Sequence, residues 1–135
     1  MDISELAKYY GYENDKNMRA ILTALDMATP DYIFAYWITK IAKIRTNRNI
    51  HVADIVEKLS TLIDNKLVDM REGMTIDNFL EVQTNLVRKK VVTAKEKLPL
   101  PDGPRTGYKL SPKGILSPVY LQKTTYFGKP LLQPA

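Results

Sequence analysis

The sequence predicts a mainly α-helical fold carrying one small β-hairpin, an α+β protein, and three observations carry that reading. Apolar residues recur at three- and four-residue spacing through about the first ninety positions. Proline then takes over: Pro30 stands alone early, whereas Pro99, Pro101, Pro104, Pro112, Pro118, Pro130 and Pro134 crowd the last third, where long helices are disfavoured. Between these regions lies a β-branched run followed by a turn-rich loop and a second short apolar run, the pattern of a hairpin.

The helices follow in order. Asp2 and Glu5 have capping-box spacing and open a short helix with Ile3, Leu6, Ala7 and Tyr10 on one face. Asn14 is the expected N-cap of a second helix bearing Met18, Ile21, Leu22 and Leu25. Thr29-Pro30-Asp31 marks a third start, because proline fits the first turn and aspartate suits the positive end of the dipole. Ile33, Phe34, Trp37, Ile38, Ile41 and Ile44 form its buried face, with Tyr36, Lys40, Lys43 and Asn47 opposite. A fourth helix over His51 to Asn65 places Val52, Ile55, Val56, Leu59, Leu62 and Ile63 on one stripe and Asp54, Glu57, Lys58 and Asp64 away from it. A break is expected over Asp69 to Gly73. Thr75 then caps a fifth helix to Lys90, with Ile76, Phe79, Leu80, Gln83, Leu86 and Val87 on its inner face. Val91 to Lys95 and Gly107 to Leu110 are expected to pair as strands across the loop Pro99 to Thr106.

Charge divides the chain in the same place. Residues 1 to 87 hold ten lysines and arginines against thirteen acids, net −3, and residues 88 to 135 hold ten against two, net +8. Lys40, Lys43, Arg45 and Arg48 make a second basic cluster, which the negative end of the third helix already explains. Cysteine is missing and His51 is the only histidine, so thiolate zinc sites, thiol nucleophiles, disulfides and multi-histidine metal centres are excluded. There is no glycine-rich phosphate loop, and the acids sit beside lysines on helix faces, so neither a catalytic apparatus nor a cofactor is expected. With no run of about eighteen apolar residues, the expectation is a cytoplasmic protein that avoids membranes, or one of host cytoplasm or virion if viral.

The segments NLVRKKVVTAKEK and DGPRTGYKLSPKG resemble the winged helix-turn-helix of transcription regulators, the PadR-like and MarR-like groups in particular. The first looks like the end of a recognition helix and second strand, the second like a wing tip, third strand and following turn. The resemblance implies a domain over residues 29–116, preceded by N-terminal helices (1–28) and followed by a proline-rich arm (117–135). It implies a double-stranded DNA partner and transcriptional regulation. Thr75 to Lys90 would be the recognition helix, offering Asn78, Glu81, Thr84, Asn85 and Arg88 to base edges, while Lys97, Arg105 and Lys109 on the wing would meet phosphates. Ile50 to Val52 would supply a short strand. The cations of 40–48 would then converge with the wing on the face of Asn78 and Asn85.

Departures from the family pattern leave alternatives open. Lys90 stands where a glycine usually ends the recognition helix, and Asp77 and Glu81 would face phosphates. Leu59 to Met70 also looks like a recognition-helix end running into a strand, and in that register the fifth helix is an insertion. The chain ends in SPVYLQKTTYFGKPLLQPA instead of dimerisation helices, leaving the N-terminal helices or the arm for homo-oligomer contacts. The rival reading is a structural or assembly protein, viral ones among them, in which the arm from about Ser117 threads along a neighbour through Tyr120, Tyr126, Phe127, Leu131 and Leu132. Tyr108, Tyr120, Tyr126 and Phe127 among lysines also allow base stacking on a single strand.

Overall fold

Five helices and a two-stranded antiparallel sheet are arranged in a computed structural model that describes residues 3–96 and 98–112. The order is α1 (Ile3–Tyr9), α2 (Lys16–Ala28), α3 (Ala35–Thr46), α4 (Val52–Asp64), β1 (Val68–Met74), α5 (Ile76–Arg88), a 3-10 turn at Ala94–Glu96, and β2 (Arg105–Leu110). The arm from 117 onward lies outside the described residues, as does Lys97.

The starts of α2 and α5 follow side-chain chemistry. Asp15, one residue beyond the expected Asn14, caps α2 by accepting the Met18 N–H at 2.9 Å. Burial works to raise the Asp15 carboxyl, but the Met18 N–H and the Lys58 ammonium at 3.0 Å outweigh it and hold the group below the usual carboxylate value. Thr75 and Asn78 form a reciprocal capping box on α5. The third helix starts at Ala35, later than Thr29-Pro30-Asp31 suggested, because residues 32–34 are extended and Ile33 bridges Tyr108 through both backbone bonds, at 2.9 and 2.7 Å.

Three helices end alike. After α1, α4 and α5, Gly11, Lys66 and Lys90 take left-handed backbone, with φ of 79, 65 and 62°. The following residues, Tyr12, Leu67 and Val91, send their N–H groups back to Ala7, Leu62 and Leu86. This is the Schellman arrangement, in which the last carbonyls find donors and an apolar residue just past the end packs inward. Lys90 therefore does the work expected of glycine, and Leu67 and Val91 are buried.

The expected hairpin is corrected. Val91 to Lys95 is no strand: Val91 and Val92 are core residues, and Thr93 and Glu96 cap each other across the 3-10 turn at 3.1 and 3.2 Å. β2 instead pairs with β1, the segment read as a break, in the register Val68↔Leu110, Asp69↔Lys109, Met70↔Tyr108 and Arg71↔Gly107, with an irregularity before Met74↔Arg105. The pairing sets apolar ends together and an acid opposite a lysine, while Gly73 (φ 70°) takes up the irregularity. Ile50 to Val52 forms no strand: Ile50 is buried in the turn and Val52 opens α4.

One continuous core spans α1 through β2, so α1 and α2 share their packing with everything that follows. At its centre Trp37, Phe34 and Phe79 bring their rings within 4.9–5.4 Å of one another. The inner faces are narrower than periodicity implied. Ile55, Leu59 and Leu62 are buried on α4, and Phe79, Val82 and Leu86 on α5, whereas Val52, Val56, Ile76 and Leu80 are exposed.

Two outcomes follow. Lys90→Gly should stabilise the protein by about 0.5–1 kcal/mol in urea denaturation, since the left-handed penalty of a side chain exceeds the extra chain entropy of glycine. Trp37→Phe should cost about 2–4 kcal/mol by the same measurement, through a cavity and an orphaned carbonyl at Pro99.

Candidate binding groove

The Trp37 indole fixes a loop that lines an apolar groove. Its Nε1–H donates to the Pro99 carbonyl at 2.7 Å, and the Gln83 amide donates to the neighbouring Leu98 carbonyl. Pro99, Pro101 and Pro104 stiffen the loop, and the pairing of Arg105 with Asp102 closes its turn. The start of α3, Phe34 to Tyr36, Val52 from α4, and Thr106 and Tyr108 of β2 complete the lining.

The resulting cavity is about 520 Å3 and chiefly apolar in its lining. Tyr36 and Val52 are each 39% exposed along it and Leu100 is 40% exposed, so three large side chains are left to water on one surface. Polar handles are few: the Tyr36 and Tyr108 phenols, the Thr106 hydroxyl and the Asp102–Arg105 pair. Burial, reinforced by Glu72, pushes the Tyr108 phenol up, which keeps it a neutral hydrogen-bonding group at any physiological pH. The Lys40 ammonium rests 5.2 Å from the centre of the Tyr36 ring, a cation–π contact that favours this ring position. Aromatic faces between prolines, with hydroxyls at the edges, suit an extended peptide carrying apolar side chains.

Five of the residues expected at DNA have other partners. On α5, the Asn78 side chain is occupied in the capping box, Thr84 donates back to Leu80, and Asn85 donates to Asp31 at 3.2 Å. Lys89 grips the same corner through the Thr29 carbonyl at 2.7 Å. Glu81 and Arg88 are exposed. Arg105 pairs with Asp102, and the Lys109 ammonium lies 5.0 Å from the Tyr32 ring. The cations of 40–48 diverge: Lys40 goes to Tyr36, Lys43 to Asn47, Arg45 to the Lys90 carbonyl and Arg48 to Asn17. Of these, Arg45 alone is bonded to the turn that follows α5.

His51 lies at the N-cap position of α4 and makes no side-chain capping bond there. No cluster of three or more acids and histidines is placed to hold a metal among the described residues, and none of their helices is long and apolar enough to cross a membrane. The groove itself was missed in the sequence, where Tyr36 was assigned to an outer face, Val52 to a buried stripe and the prolines to a loop. The signal was LPLP, Leu98 to Pro101, where a leucine held outward between two prolines has little to pack on. The chain matches no family model, no curated protein and no solved structure.

Gln83→Ala should destabilise by about 1–2 kcal/mol, because it leaves a carbonyl of the groove loop without its donor. Asp102→Ala, in a largely exposed pair, should change stability by less than about 0.5 kcal/mol. Urea denaturation followed by Trp37 fluorescence separates the two.

Proposed function

We propose that the protein is an assembly module in which the groove seats the C-terminal segment of another copy. The observation that carries this reading is the groove itself, with Tyr36, Val52 and Leu100 exposed together against two prolines. The chain supplies a matching occupant. Beyond Pro112 it continues for 23 residues, enough for roughly 75 Å of extended chain. That segment holds Pro118, Pro130 and Pro134, the anchors Tyr120, Tyr126, Phe127, Leu131 and Leu132, and three lysines with no acid. Glu72 beside Tyr108 offers it negative charge, while Asp102 is paired with Arg105. A reciprocal exchange of arms closes a two-fold dimer, and a non-reciprocal one builds a chain of copies.

A second reading, DNA binding by a winged helix-turn-helix and so transcriptional regulation, is favoured by one observation. α2, α3 and α4 are followed by β1 and β2, and Ile33 bridges β2 at Tyr108. That is the order of a winged helix with α4 as recognition helix and α5 inserted at the wing, the earlier of the two registers. Its electrostatics weigh against duplex DNA: α4 turns Asp54, Glu57 and Asp64 outward beside Val52 and Val56, and Lys58 is taken by Asp15. A winged-helix scaffold used for protein contacts reconciles the order of elements with this surface.

Sedimentation of the full chain at tens of micromolar, alone and in mixtures, tests the proposal. Wild type should sediment as a dimer or larger, and Leu100→Asp and the double variant Tyr126→Ala/Phe127→Ala should each sediment as monomers. Mixed, the two variants should restore a dimer, since one retains an arm and the other a groove. A monomeric wild type sinks the reading, and salt-sensitive binding to a labelled duplex in its place would favour the second.

A further inference from the structure

A second cavity, on the face formed by α2 and the turn after α3, is lined by Lys16, Arg19, Ala20, Thr23, Thr46 and Arg48, with a volume of about 310 Å3. Three cations from two separate elements therefore meet around one depression, and no acid is among its lining residues. Among the described residues none of the three lies within ion-pair distance of a carboxylate. The nearby Asp15 is already neutralised by Lys58 at 3.0 Å.

The two guanidinium groups are held in place by neutral partners. The Asn17 side-chain oxygen accepts from Arg48 Nε at 3.2 Å and Nη2 at 2.9 Å, clamping that fork against the start of α2. Arg19 donates through Nη1 to the Glu13 carbonyl at 3.3 Å and through Nη2 to the Ser4 hydroxyl at 3.1 Å. Each arginine has five N–H donors and uses two in these bonds, so three on each are left for something else. Lining one depression with like charges that have only neutral acceptors leaves repulsion that a bound anion offsets. Planar forks of this kind match the oxygens of a tetrahedral oxyanion.

We infer that this cavity is a binding site for a phosphoryl group, held by Arg19 and Arg48 with Lys16 at the mouth. Thr23 and Thr46 do not act as its donors, because their hydroxyls donate to the Arg19 and Ala42 carbonyls at 2.8 and 2.6 Å, and they shape the walls instead. The group can belong to a small phosphorylated molecule or to a nucleic-acid backbone. The site is separate from the groove and does not depend on arm exchange.

Thermal unfolding of the full chain in inorganic phosphate, against chloride at equal ionic strength, provides the test, with the Arg19 and Arg48 Nε–H resonances as a second readout. Phosphate at tenfold above its Kd should raise Tm by roughly 4 °C and shift both resonances saturably. Arg48→Gln should abolish both effects, and Lys16→Gln, at an exposed position that leaves the fold undisturbed, should weaken binding about tenfold. Equal Tm in phosphate and chloride with unmoved resonances overturns the site, as does full phosphate binding by properly folded Arg48→Gln. A labelled DNA duplex that phosphate displaces, and that Arg48→Gln releases, assigns a backbone phosphate. Phosphate binding without duplex binding assigns a small ligand.

Discussion

Everything near the groove depends on one buried aromatic contact, Trp37 against Phe34 and Phe79, and on the bond its indole makes to Pro99. The indole is large enough to fill the space between α3 and α5, and its single donor must find a partner once it is out of water. The partner lies sixty-two residues away, on a loop with no secondary structure of its own. A packing requirement thereby becomes a positional one: burying Trp37 sets where Leu98 to Pro101 run, and that sets where Leu100 stands relative to Tyr36.

Helices were legible in the sequence because their caps and periodicity are local. The existence and order of all five could be read, with starts displaced by one residue at Asp15 and by several at Ala35. The strands were less legible, because pairing is a contest between candidates. Val91 and Val92 have the stronger β propensity, yet the core claims both, and the charged Val68–Met74 segment pairs with β2. Propensity names which residues tolerate a strand, and tertiary packing chooses among them. Within Leu59 to Met70, also read as a helix end running into a strand, a strand does follow the fourth helix closely.

The site was legible only in part, and for a related reason. Basic residues attract attention as solvent-facing charge, but many here secure helix ends or neighbouring elements: Lys43 on Asn47, Arg45 on the Lys90 carbonyl and Lys89 on the Thr29 carbonyl. A cation near the end of a helix is favoured there by the dipole before any ligand is considered. The more informative cations are Arg19 and Arg48, which are positioned by neutral oxygens and whose convergence depends on how α2 meets the turn after α3. No spacing in the sequence announces that meeting, because the two arginines are far apart along the chain.

The sheet has a topological consequence for how the chain reaches this state. Thirty residues, including all of α5, separate Met74 from its partner Arg105, so the two strands cannot zip up from a tight turn. The loop-closure entropy of that span must be met before any ladder bond forms, unless the span is already compacted. Docking Phe79, Val82 and Leu86 on the helical body compacts it, bringing the far end of the insertion back beside its beginning. During synthesis the segments of the helices up to α5 emerge before β2 does, and β1 has no ladder partner among the described residues until β2 arrives. The arrival of β2 thus completes both the sheet and the lining that Thr106 and Tyr108 give the groove.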